Sequence, residues 1–134
     1  MIEFEQFALM LDEIAESFPP EIYVRLNGGI NLIPGYKIHP ESDKNDLSIL
    51  GEYCWDNRLG RFIRIYYDSF SLVYGHLSDE KIRKKAESVL KHEFLHHLES
   101  MAGEKDLEIK DAMFIAKYKQ VIKDDEISEK DRQE

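Results

Sequence analysis

Apolar residues repeat at helical spacing near both ends of the chain and at strand spacing between them. Phe4, Phe7, Ala8, Leu11, Ile14, Ala15 and Phe18 form one stripe, which Pro19-Pro20 ends. That spacing predicts an N-terminal amphipathic helix with the stripe as its core face. Residues 21–26 suit a short helical turn or a strand, and Asn27-Gly28-Gly29 suits a turn. Residues 30–33 then read as a short strand closed by Pro34-Gly35, and the polar stretch 37–47 as a loop. Two further β-like runs, 47–55 and 61–67, flank Asp56-Asn57-Arg58-Leu59-Gly60, a hairpin connection with a glycine for a positive φ. Phe62, Ile63, Ile65, Tyr66 and Tyr67 make the second run almost continuously apolar, so helices are expected to cover it on at least one face.

The helical period then returns. Ser78 is a suitable N-cap, with Asp79 and Glu80 in the first turn to complement the helix dipole. Ile82, Ala86, Val89, Leu90 and Phe94 trace an apolar arc that Leu98 continues, and Gly103 is a good stop after about Ala102. A last helix is expected over 107–122, followed by a charged tail, 123–134, that frays. The order of elements predicts an α+β fold. It has an N-terminal helix, a small twisted mixed sheet, a long helix and a C-terminal helix, in one domain over 1–122.

Charge narrows the function classes. A net charge of −9 gains nothing from neutralising phosphates, and no basic cluster with interleaved aromatics offsets it, so nucleic acid is not an expected partner. Cys54 is the sole cysteine, which rules out an internal disulfide and fits a reducing compartment. The N-terminus lacks the pattern of a signal peptide, and no run approaches the roughly 18–20 apolar residues of a membrane span. A soluble, cytoplasmic protein with no membrane partner is expected, and its oligomeric state is left open.

Within this ordinary composition, residues 92–97 read HEFLHH, in a chain with only two other histidines, His39 and His76. On a helix, residues four apart lie about 40° apart in projection, so His92 and His96 face one side and can share one cation. Glu93 is rotated by about 100° from His92, beside such a cation and within reach of a water on it. This is the mechanical content of H-E-x-x-H: two ligands and a general base on one rigid element. A catalytic zinc usually takes a third protein ligand. Glu99 lies on the same helix face, while Glu104, Asp106, Glu108 and Asp111 follow the Gly103 break, where the chain can turn back.

Taken in order, these segments resemble the minimal zincins, small bacterial proteins similar to zinc metallopeptidases with a matrix-metalloprotease-like core. The likeness spans roughly residues 3–118. It includes the helix ending in FPPE, the strand pair with LGEY and RFIRIYY, and the helix from LSDEKIR into VLKHEFLHH, with its His-His pair. The resemblance implies a zincin-like fold, Zn2+ as cofactor and a peptide or protein as substrate. In such proteins Gly-x-x-Asp follows the ligand helix, with the aspartate as third ligand. Gly103-Glu104-Lys105-Asp106 supplies those letters four residues later than the shortest pattern, where Glu99 and Ala102 stand instead. The resemblance thus assigns Asp106 as third ligand, with Glu99 as its rival. Met113 is a possible methionine beneath the metal, although packing is the commoner role at helical spacing.

The implied reaction is peptide-bond hydrolysis by a zinc-activated water, with Glu93 taking the proton and returning it to the leaving amine. An extended substrate is expected to pair with a strand edge, for which 47–55 is the candidate. His97, Tyr53, Tyr66 and Tyr67 are all able to stabilise an oxyanion, and His97 also suits burial against the sheet. Cys54, between Tyr53 and Trp55, suits packing better than nucleophilic work. His39 and His76 read as surface residues. Two other functions are consistent with the sequence: a zincin-fold zinc-binding regulatory or interaction protein without proteolytic activity, and a metal-free interaction protein.

Overall fold

The computed structural model describes residues 1–41 and 48–133. Helix α1 (Phe4–Glu16) follows the predicted stripe: Phe7, Leu11 and Ile14 are buried, and Phe18 beyond it packs on Phe94 with ring centroids 4.9 Å apart. A single 3-10 turn, Pro20–Tyr23, resolves the ambiguity at 21–26 and buries Ile22. Strand β1 (Gly29–Ile33) starts on a glycine at φ 66°. Strands β2 (Lys37–Ile38) and β3 (Ser48–Ile49) pair antiparallel as a separate two-stranded ribbon. The expected loop over 37–47 therefore begins with two paired residues, and its remainder from 42 onward lies outside the described residues.

The expected single strand over 47–55 is divided. Ser48 and Ile49 turn toward β2, while β4 (Gly51–Asp56) joins the main sheet. Leu50 marks the change, and its carbonyl accepts the Tyr66 N–H at 3.0 Å. Strand β5 (Gly60–Tyr66) is central in the order β1-β5-β4, parallel to β1 and antiparallel to β4. The mixed sheet and the hairpin were expected, and Gly60 takes φ 72° in the connection. Gly51 permits a close approach: a Cβ there would stand 3.0 Å from Val89 Cγ1 on the next long helix. That contact brings β4 against the helix that carries the histidines.

Tyr67 was expected to end the strand but begins helix α2 (Tyr67–Tyr74), for which the sequence offered no capping side chain. Its Phe70 is fully buried, 5.0 Å from Phe7 by ring centroids, so tertiary packing holds the helix rather than a local start signal. Helix α3 (Asp79–Ala102) matches the prediction, with Ser78 Oγ accepting the Lys81 N–H and Gly103 following the last turn. Ile82, Ala86, Leu90, Phe94, Leu98 and Met101 form its buried stripe.

Helix α4 (Ile109–Gln133) corrects the last part of the prediction. It starts two residues late and continues eleven residues past Ile122, through the tail expected to fray. Ile115 and Ile122 are buried on its inner side. Beyond them polar contacts hold it to α3: Ser88 Oγ donates to Glu129 at 2.6 Å, and Lys91 Nζ stands 3.5 Å from Asp125. The architecture is α+β, a small mixed sheet with helices packed around it. No helix among the described residues is long and apolar enough to cross a membrane.

Candidate metal centre

The exposed side of α3 opposite its apolar stripe borders a cleft of ≈ 980 Å³, whose other walls are β3, β4 and the end of α4. His92 and His96 project into it about half-exposed, with their Nε2 atoms 3.2 Å apart. Two nitrogens bound at ~2.0–2.1 Å to one tetrahedral ion stand about 3.3 Å apart. The predicted pair therefore has the bite of a metal site before any side chain moves. Each Nδ1 faces a carboxylate instead. His92 Nδ1 lies 3.0 Å from Glu126 Oε1, and His96 Nδ1 lies 3.9 Å from Glu99 Oε1.

Glu93 lines the same cleft but is 6 % exposed, where the histidines are open. Burial is the main reason that its carboxyl is pushed up to about 7; Glu52 and Glu126 add to the rise, and His92 opposes it. Glu52, on β4, stays ionised for a different reason. Its burial would raise its pKa, but hydrogen bonds from Tyr66 and Lys37 win and hold it below the usual carboxylate range. The Lys37 ammonium lies 2.9 Å from both Glu52 oxygens.

Asp106, the expected third ligand, stands away from the histidine pair. Its carboxylate is exposed and accepts from the Arg25 guanidinium at 2.9 Å, an interaction that lowers its pKa, and it does not line the cleft. The cause is the extra helical turn. From His96, α3 runs six more residues to Ala102, about 9 Å of rise, before the chain reverses. Asp106 thus comes down beyond the turns that carry His92 and His96, against Arg25. Asp106→Asn should leave zinc affinity within about twofold of wild type, a change too small to matter beside the roughly tenfold or larger loss expected for outer-shell partners of a metal; isothermal titration with zinc would measure it. Glu99 stands at the far nitrogen of His96, not beside the Nε2 pair. Among the described residues, no group of three or more His, Cys, Asp or Glu side chains could hold a metal ion together.

His97 is fully buried, as its wheel position suggested, and works as a strut. Its Nε2–H donates to the Val24 carbonyl at 2.8 Å, which leaves Nδ1 to accept from the Tyr53 hydroxyl at 2.8 Å. Burial pushes its pKa down to about 4; the Val24 bond opposes the fall and Arg61 adds to it. Each of the four oxyanion candidates is thus already engaged by a hydrogen-bond partner within the protein. Tyr66 donates to Glu52, Tyr67 donates to the Ile2 carbonyl, and Tyr53 lines the cleft with its proton committed to His97. Met113 is 68 % exposed, so it neither underlies the site nor packs in the core. Cys54 is half-buried, and burial raises its thiol pKa, which keeps it an unreactive thiol. His39 and His76 are exposed, as expected.

The sequence reading missed Glu126. It lies in a segment whose composition resembles a solvated tail, and only the return of α4 along α3 places it on His92. No protein-family model matches the chain, and no curated protein matches it. Among solved structures, the chain is similar to a conserved hypothetical protein from Thermus thermophilus. The TM-score is 0.67 at 29% identity, and the match covers 77% of this chain and 100% of that one.

Proposed function

We propose that this chain is a zincin-type, zinc-dependent peptidase. The observation that carries the proposal is the convergence of His92 and His96 Nε2, 3.2 Å apart, beside the buried carboxyl of Glu93. His92 and His96 would hold the ion. Bound there, zinc would supply Lewis-acid polarisation of the scissile carbonyl and lower the pKa of water. Glu93 accepts a proton on its carboxylate in the attack and returns it to the leaving amine. A pKa near neutrality suits both transfers.

Strand β4 supports the substrate class. Among the described residues it is an edge strand, paired with β5 alone in the three-stranded sheet, and Gly51, Glu52 and Tyr53 line the cleft with the histidines. An extended peptide added to that edge would pass the two histidines and Glu93, with backbone hydrogen bonds holding it irrespective of side chain. His92 and His96 are about half-exposed, so a bound substrate would itself cover them.

A fluorogenic peptide library separates the possibilities. Zinc-dependent hydrolysis that falls by about 10²–10⁴-fold in Glu93→Ala is the expected result. Stoichiometric zinc with no turnover would favour a zinc-binding regulatory protein. Absence of bound metal, together with no thermal stabilisation by added zinc, would sink both metal readings.

A further inference from the structure

The charged end of α4 forms a wall of the cleft that the reaction above does not use. Its contacts with α3 run antiparallel: Glu129 meets Ser88, Asp125 meets Lys91 and Glu126 meets His92. The first two join groups outside the histidine pair. The third joins a carboxylate one-third exposed to the ring nitrogen of His92 that points away from His96.

We propose that Glu126 is a positioning residue for the metal centre: its carboxylate takes the Nδ1–H of His92 and keeps the Nε2 lone pair aimed at the cation. The inference rests on the metal reading of His92 and His96. An imidazole has two nitrogens and, when neutral, one proton, so the acceptor on one nitrogen decides which is free to bind. At 3.0 Å, Glu126 Oε1 is that acceptor. The 3.9 Å between Glu99 and His96 Nδ1 is too long for the same service, so the two ligands are supported unequally. Glu126 itself lies on the wrong side of the ring to be the third ligand. The end of α4 is therefore part of the metal centre rather than an appendage, and the Glu126–His92 hydrogen bond is what couples it to the histidine pair.

The test uses the full-length chain and zinc alone as probe. Zinc titration of the metal-free protein should show about 10–100-fold weaker affinity for Glu126→Ala. Glu126→Gln, whose amide oxygen still accepts the Nδ1–H, should recover most of that loss. Asp125→Ala removes the neighbouring ion pair with Lys91 and should leave zinc affinity unchanged. In parallel, 15N–1H correlation spectra of the imidazoles should show His92 protonated at Nδ1 in wild type and Glu126→Gln, and predominantly at Nε2 in Glu126→Ala. Wild-type affinity in Glu126→Ala would overturn the proposal, and so would an equal loss in Asp125→Ala, which would mark α4 as packing only. If wild type itself fails to bind zinc, the metal reading falls and takes with it the purpose assigned here, while the tautomer spectra still decide whether Glu126 orients His92.

Discussion

Glu93→Gln is expected to make the metal-free protein more stable than wild type at about pH 8, by up to roughly 3 kcal/mol, and no more stable at about pH 4. The carboxyl is 6 % exposed, and burial raises its pKa from 4.5 to about 7 in the folded state. Between those values the unfolded chain has released the proton while the folded chain still holds it. Stability from this group is therefore fully present below 4.5 and lost as pH rises through about 7. The groups facing it are His92 on its own helix, Glu52 from β4 and Glu126 from α4, and the two carboxylates reinforce the effect of burial.

His97 runs in the opposite sense. Its pKa falls from 6.5 to about 4, so the unfolded chain takes up a proton that the folded chain refuses. Stability from His97 is present above 6.5 and lost as pH falls through about 4. In wild type the two trends nearly offset one another across the shared window. Glu93→Gln removes one of them, and the stability of the variant should rise with pH between about 4 and 6.5. Urea unfolding at a series of pH values, with a chelator present, measures both curves. A constant difference between wild type and variant across the range would contradict a buried, protonatable Glu93.

His97→Ala should destabilise the protein by roughly 3–5 kcal/mol with or without zinc. The substitution opens a cavity at a fully buried site, and it leaves the Val24 carbonyl and the Tyr53 hydroxyl without their partner. Those bonds tie α3 to β4 and to the segment before β1, so the cost falls on the frame that holds the cleft together. His92→Ala makes the useful contrast. His92 is about half-exposed, and its loss should change metal-free stability by less than about 1 kcal/mol. What it should remove is the rise in melting temperature on adding zinc. The expected contrast separates a structural histidine, His97, from a proposed ligand, His92. Equal losses of metal-free stability for the two variants would refute that division.

Much of this arrangement was legible in the residues. The stripes of α1 and α3 bury as their spacing demanded, because a helix with one apolar face has one way to remove it from water. Ser78 caps α3, and Gly60 takes the positive φ in the hairpin, since both depend on neighbours within a few residues. The division of 47–55 at Leu50 was not legible, because either pairing partner suits the same β-forming residues. Nor was α2, whose Phe70 is held by a helix more than sixty residues earlier in the chain.

The candidate site divides along the same line. His92, Glu93 and His96 share a geometry that helix periodicity alone dictates, so the sequence by itself determined that two imidazoles stand side by side with a carboxyl next to them. It also determined the length of the helix past His96, but not the consequence of that length. Only the tertiary structure decided that Asp106 meets Arg25, that His97 is a strut, and that Glu126 reaches His92 from a segment with the composition of a loose tail. Each of these depends on where a chain reversal returns a distant residue. A side chain's partner across such a reversal is set by the packing of whole helices, and no local pattern encodes it.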